Sequence, residues 1–292
     1  MSEVSERASS RLDNLENIEP LLASLRVLSL STMQMAINRK EHLHTYKGEF
    51  LAALADMLQA VKTKDIRKIL PGESSIQGSA LLVILGSERG ICGTFNKTLA
   101  TMALEWQAAQ PGEVQILSFG KRLEPLLKQT GLEFSHQPSL SQGSMPRYQK
   151  AKSFFDTWLA QFNAGDLAAV DVLSFRKASA ATYKPEFFRL LPAMELEQID
   201  RGSHADWPPP IIEGDPLPMV KHTYELLLAL RFYELILESI EAENAIRYNL
   251  LEEAKENTNE LIEELQVEIL IAKRQAVTQQ IQELAVSAGL TA

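Results

Sequence analysis

From Met219 to Ala288 the chain contains neither proline nor glycine. Globular helices average ~11–12 residues, and a periodic stretch much beyond ~25 points to a coiled coil, a membrane span or a repeat. At ~1.5 Å per residue, one helix over this stretch is on the order of 100 Å long. Glu241, Glu243, Arg247, Glu252, Glu256, Glu260 and Glu264 interrupt it throughout, which excludes a lipid-buried span. A helix this long needs a partner along its flank.

The N-terminal segment supplies one. Between Arg11 and Lys64 the only helix breakers are Pro20 and Gly48. Apolar residues recur at helical spacing, as Leu15, Ile18, Leu22 and Leu25, then Leu43, Tyr46, Phe50, Ala53 and Met57. Pro20 predicts either a kink or a helix that starts there. In the C-terminal stretch Leu251, Ala254, Thr258, Leu261 and Leu265 form a 3-4-3-4 seam, and Ile269, Ala272 and Ala276 continue it after a second step of four. Two fours in succession make a stutter that relaxes a left-handed supercoil. The expectation is an antiparallel pairing of the two ends.

Between Pro71 and Pro218 the texture is different. Ala80–Leu85, Val114–Phe119 and Val170–Phe175 read as buried strands, and Tyr183–Leu191, with Pro185, as an edge strand. Asn96–Ala109, Arg122–Gln129 and Arg147–Phe162 read as helices. This alternation predicts a Rossmann-like α/β domain with a mainly parallel sheet. Pro192–Pro218 reads as the linker back to the long helix. The expected organisation is a helix over 1–70, an α/β domain with linker over 71–216, and a helix over 217–292.

Composition narrows the functional classes. A formal charge of −9 disfavours a nucleic-acid binder. Cys92 is the only cysteine, so no intrachain disulfide forms and a reducing compartment is expected. The first ten residues lack the order of a signal peptide, and no apolar run long enough for a membrane span is expected. His42, His44, His136, His204 and His222 have no metal-ligand spacing. Gly86, Gly90 and Gly93 follow the first strand, but their spacing fits neither a dinucleotide fingerprint nor a Walker loop. A tight strand-to-helix turn is the better reading. No catalytic constellation, cofactor site or metal site is expected.

The loop Ser87-Glu-Arg-Gly-Ile-Cys-Gly93 followed by Asn96 resembles the S-D-R-G-L-C-G-x-x-N signature of the gamma subunit of F-type ATP synthases. Glu238-Ser239 with Glu243-Asn-Ala-Ile-Arg247, Ala254-Lys-Glu-Asn257, and Arg274-Gln-Ala-Val-Thr278 are similar to stretches of that family's last helix. Thr32-Met33-Gln-Met35 with Lys40 is similar to a stretch of its first. The resemblance spans the whole chain in the right order. It implies a noncatalytic rotor whose terminal helices form an antiparallel coiled coil inside a ring of alpha and beta subunits. It also implies that the α/β domain meets the epsilon subunit and the membrane c-ring, on the cytoplasmic face of a bacterial inner membrane. Partner-contact positions carried over are Met33, Lys40, Glu88, Arg89, Glu243, Arg247, Arg274, Gln275 and Thr278, the last three toward beta. Leu28, Ser31 and Ile271 depart from the family's usual residues, which implies a divergent, alternate bacterial type. Two other classes remain: a nucleotide-using α/β enzyme with helical arms, and a coiled-coil scaffold that homodimerises.

Overall fold

The computed structural model describes residues 3–59, 61, 78–137, 139–140, 145–179, 182–192 and 212–287. In chain order the elements are α1 (Glu3–Gln59), β1 (Ser79–Leu85), α2 (Phe95–Ala109), β2 (Val114–Phe119), α3 (Glu124–Thr130), β3 (Ser135–His136), α4 (Tyr148–Ala164), β4 (Leu167–Lys177), β5 (Tyr183–Leu191) and α5 (Pro216–Ser287). They fall into two compact units, Met1–Leu30 with Arg247–Ala292, and Ser31–Ile246. Most of the expected linker, residues 193–211, lies outside the described residues.

The second unit is built on one five-stranded sheet of order β3-β2-β1-β4-β5. β1 pairs in parallel with β2, Ala80 opposite Val114 through Leu85 opposite Phe119, and with β4 on its other side. β5 closes the edge antiparallel to β4. β1 is apolar at nearly every position because both of its faces are covered. Leu81, Val83 and Leu85 join a core with α4, α5 and the end of α1, whereas Leu82 and Ile84 face α2 and α3. The two-residue β3 was too short to leave a sequence pattern.

Within this unit α1 buries Ala36, Lys40, Leu43, Lys47, Phe50 and Leu54 wholly or in part, a strict 4-3-4-3-4 spacing. Lys40 meets Glu241 and Lys47 meets Glu234, so rising numbers on α1 meet falling numbers on α5 and the helices are antiparallel. Arg39 donates to the Pro146 carbonyl at 2.9 Å and to the Tyr233 hydroxyl at 3.2 Å, tying α1, α5 and the entry to α4 together. Asp215 caps the start of α5 by accepting from the Leu217 N–H at 3.0 Å.

The first unit repeats the antiparallel pairing. Ala8, Leu265 and Ile269 form a small core with Leu12 and Leu15. Lys255 pairs with Glu19, and Arg26 pairs with Glu252 while lying over the Tyr248 ring. α1 turns Ala8, Leu12, Leu15, Glu19, Leu22, Arg26 and Ser29 inward.

Three expectations about the helices need correction. α1 begins at Glu3 and runs through Pro20, so the proline does not start it. Ile18, Leu25 and Tyr46 are not seam residues: Ile18 is 43% and Tyr46 60% exposed. Charged residues hold some seam positions, with their aliphatic stems packed and their charges paired across the interface. On α5 the seam passes through Ile262 instead of Leu261, which is 41% exposed. The inward run is therefore Leu251, Ala254, Thr258, Ile262, Leu265, Ile269 and Ala272. Its two consecutive fours flank Thr258, earlier than expected.

Among the described residues α1 is also the one helix with an 18-residue window apolar enough, by length and composition, to cross a membrane. The window's residues are largely exposed, only 11% buried, and the paired charges of the flanking seam are unsuited to lipid.

Candidate functional site

The loop after β1 is held by a closed polar knot. Ser87 is fully buried, and its N–H donates to Asn96 Oδ1 at 3.0 Å. Asn96 Nδ2 donates to Ser87 Oγ at 2.7 Å and approaches Cys92 Sγ at 3.5 Å. Ser87 Oγ donates in turn to the Arg89 carbonyl at 2.9 Å. This knot holds Ile91, a β-branched residue, at a φ of 59° with its side chain exposed. Such a conformation is an outlier for a β-branched residue and persists only where its surroundings over-determine it. The loop thus presents a rigid tip, with Arg89 and Ile91 exposed and Glu88 and Gly90 half-buried.

The tip lies at the carboxyl end of β1, where the strand order reverses between β2 and β4. In open α/β sheets that crevice is the usual ligand site. Here α5 fills it. Ser239 donates to the Leu85 carbonyl at 3.2 Å, and Ala242 and Ile246 pack into the core that contains Cys92, Phe95 and Phe175. Cys92 is buried within this plug. The protein's own helix thus packs against the carboxyl end of β1, on the side where Leu85 and Phe95 lie. Among the described residues no group of three or more His, Cys, Asp or Glu is placed to hold a metal.

A second polar concentration joins α1, α5 and the β4–β5 edge. Glu234 and Glu241 are buried, at 6% and 1% exposure. Glu234 accepts from Arg231 at 2.7 Å and Lys47 at 3.0 Å, with His44 Nε2 3.7 Å away. Glu241 pairs with Lys40, accepts from the Tyr183 hydroxyl at 3.0 Å, and has Lys177 at 3.8 Å. Arg176 bridges Glu238 and Glu186 at 2.8 and 3.2 Å, and Arg231 lies over the Phe188 ring at 4.5 Å.

Burial works to raise the Glu234 pKa, but the hydrogen bonds and charges of Arg231 and Lys47 outweigh it and hold the carboxyl below its ordinary range. A depressed carboxyl contributes stability that is present above its unfolded pKa and is lost as pH falls through the folded one. Glu234→Gln should therefore have a smaller stability deficit in acid than at neutral pH. Urea unfolding of both chains across the carboxylate range checks this, and a deficit independent of pH would contradict it.

The sequence-predicted contact residues are distributed as follows. Arg274, Gln275 and Thr278 share an exposed stretch of α5 in the first unit, with Thr278 Oγ1 donating to the Arg274 carbonyl at 2.9 Å. Arg247 is buried in that unit. In the second unit Glu88 and Arg89 sit on the loop tip, while Met33 and Glu243 are half-buried. Lys40 directs its charge to Glu241. Sequence reasoning missed Ile91, whose positive φ has no sequence signal outside glycine. It also missed Glu234, Glu238 and Glu241 as a group, because on a charged helix they resemble a solvated face.

Large apolar side chains remain exposed on both long helices, among them Leu21, Val27 and Leu28 on α1 and Ile271, Val277, Ile281 and Leu284 on α5. Where such side chains are contiguous they favour contact with another apolar surface.

Comparison with known proteins agrees with this architecture. A family model described as ATP synthase matches residues 5–290. The ATP synthase gamma chain of Ruminococcus albus is 24% identical over 278 residues, covering 94% of each chain. That of a Ruegeria species is 26% identical over 285 residues, covering 94% of this chain and 95% of the relative. Among solved structures, a chain of the Euglena gracilis mitochondrial ATP synthase OSCP/F1/c-ring assembly superposes with a TM-score of 0.64 at 17% identity, covering 98% of this chain and 94% of that one. A chain of the Tetrahymena thermophila mitochondrial ATP synthase central stalk and c-ring gives 0.55 at 18% identity, covering 80% and 99%. With the family model matched across both long helices and the sheet between them, the chain belongs to the ATP synthase gamma family.

Proposed function

We propose that this chain is the central-stalk rotor subunit of an F-type ATP synthase. It couples transmembrane ion flow to ATP synthesis or hydrolysis on beta subunits and does no chemistry of its own. Its partners are the alpha and beta subunits around the paired helices, and the epsilon subunit and c-ring around the sheet domain. It acts as a peripheral subunit on the cytoplasmic face of a bacterial inner membrane. The family match over residues 5–290 carries this reading. The plugged crevice beside β1 and the exposed apolar rows on α1 and α5 support it, because they favour protein contact over a small-molecule site.

A rotor acts by differential contact: it changes a catalytic site only by as much as its surface interacts differently with each state of that site. The complex reconstituted with alpha, beta and membrane subunits should show ATP-driven ion pumping only when this chain is present. Full coupling without it, or saturable nucleotide binding by the isolated chain, overturns the reading.

Arg274, Gln275 and Thr278 are proposed beta contacts. Replacing all three by alanine should lower coupled turnover at least roughly tenfold, the scale of losing one hydrogen bond to a charged group. Assembly should persist, since all three side chains are exposed. Unchanged pumping and ATPase in the triple variant removes them from the contact set.

A further inference from the structure

We propose that Glu234 and Glu241 are the centre of a two-step ionic clamp that locks α1, α5 and the β4–β5 edge in one register, so that torque passes between them without slip. The inference rests on the rotor reading and adds to it the residues that hold the rotor's parts together.

The spacing is the first argument. Glu234 and Glu241 stand seven residues apart on α5, and their partners Lys47 and Lys40 stand seven apart on α1. Both steps therefore lie on one seam, one heptad apart, and each fixes the same relative position of the two helices. An apolar seam alone is permissive. Leucine-sized side chains slide or repack at modest cost, whereas a buried carboxylate shifted by one turn loses its cation and stays desolvated. Polar residues at seam positions are the best-attested devices for fixing register.

The second argument is that the same carboxylates reach a third partner. Glu241 accepts from Tyr183 of β5 and has Lys177 of β4 nearby. One turn away, Glu238 pairs with Arg176 of β4, and Arg231, which bonds Glu234, lies on Phe188 of β5. α5 is thus tied to α1 on one side and to the last two strands on the other. Removing charges in pairs relaxes this clamp, because Arg231 keeps Glu238 at 3.4 Å and Lys177, which also loses a carboxylate, is largely exposed to water.

The test uses that distinction in the assembled complex. One variant combines Lys40→Met with Glu241→Gln and Lys47→Met with Glu234→Gln. Because both members of each pair are neutralised, the complex should assemble with a thermal midpoint close to the parent's. ATP hydrolysis should persist, while ions pumped per ATP fall steeply as an opposing ion gradient is raised. Lys40→Arg with Lys47→Arg, which keeps both charges, should pump like the parent. A parental pumping ratio under load in the neutral variant overturns the clamp. So does a fall of hydrolysis and pumping in parallel with the thermal midpoint, which marks a merely structural role. Absence of pumping by the parent complex would instead count against the rotor reading.

Discussion

Gly120→Ala should lower the thermal midpoint of the purified chain by roughly 10 °C, whereas Gly90→Ala should change it little. Gly120 ends β2 at a φ of +98°, and a Cβ there would stand 2.4 Å from the Gly86 carbonyl carbon and 2.8 Å from the Ser87 carbonyl oxygen. The obstacles are backbone, so no rotamer change relieves them. The carboxyl ends of β1 and β2 interlock here, with the Gly86 N–H donating to the Phe119 carbonyl at 2.9 Å and the Arg122 N–H to the Ser87 carbonyl at 3.1 Å. Pushing them apart also disturbs the knot of Ser87 and Asn96. A left-handed backbone for alanine and an overpacked site each cost about 1–3 kcal/mol, and at this chain size one kcal/mol moves the midpoint by about 2–4 °C. Gly90 has open space where its Cβ would go, which makes it the internal control. Calorimetry or circular dichroism on the three chains reads the difference, and equal midpoints would disprove the close-approach argument.

Phe232→Ala should cost about 3–5 kcal/mol in urea unfolding, the range for truncating a buried aromatic, and Phe232→Leu markedly less. Phe232 has no exposed surface and meets Trp158 edge-on at a centroid distance of 4.9 Å. Trp158 continues to Phe154 at 6.1 Å, and Phe154 to Phe119 at 5.1 Å. The row runs from α5 through α4 to β2, so its outermost ring fastens the long helix to the sheet. The denaturant slope should stay unchanged if the loss is one of native packing. A cost below about 1 kcal/mol would mean that the site collapses around the missing ring.

The sheet was legible in the sequence because its central strands are covered on both faces and read as short apolar runs. Ala80–Leu85 and Val114–Phe119 were found within a residue of their ends. The pairing of the two long helices was also legible from their lengths. Their contact faces were less so. Counting apolar residues selected Ile18, Leu25 and Tyr46, yet the interface is shared by Glu19, Arg26, Lys40 and Lys47, whose partners lie more than 180 positions away in the chain. No local pattern separates a cation awaiting water from one awaiting a distant carboxylate. The filling of the crevice beside β1 was hidden for the same reason, since Ser239 and Ala242 act only once α5 lies across Leu85. The loop motif drew attention to the right segment, but its rigidity depends on Asn96 reaching back to Ser87, a contact set by three-dimensional closure.

The double step of four around Thr258 makes the helical pair an uneven spring. From Leu251 to Ile262 the inward positions advance eleven residues in three turns, which favours a slight right-handed wind, whereas from Ile262 onward the heptad spacing winds to the left. A twist applied along the pair tightens one stretch while it loosens the other. Whichever way the pair is twisted, one side of Thr258 is wound further while the other is relaxed, so the change of spacing divides the strain between two stretches of opposite hand.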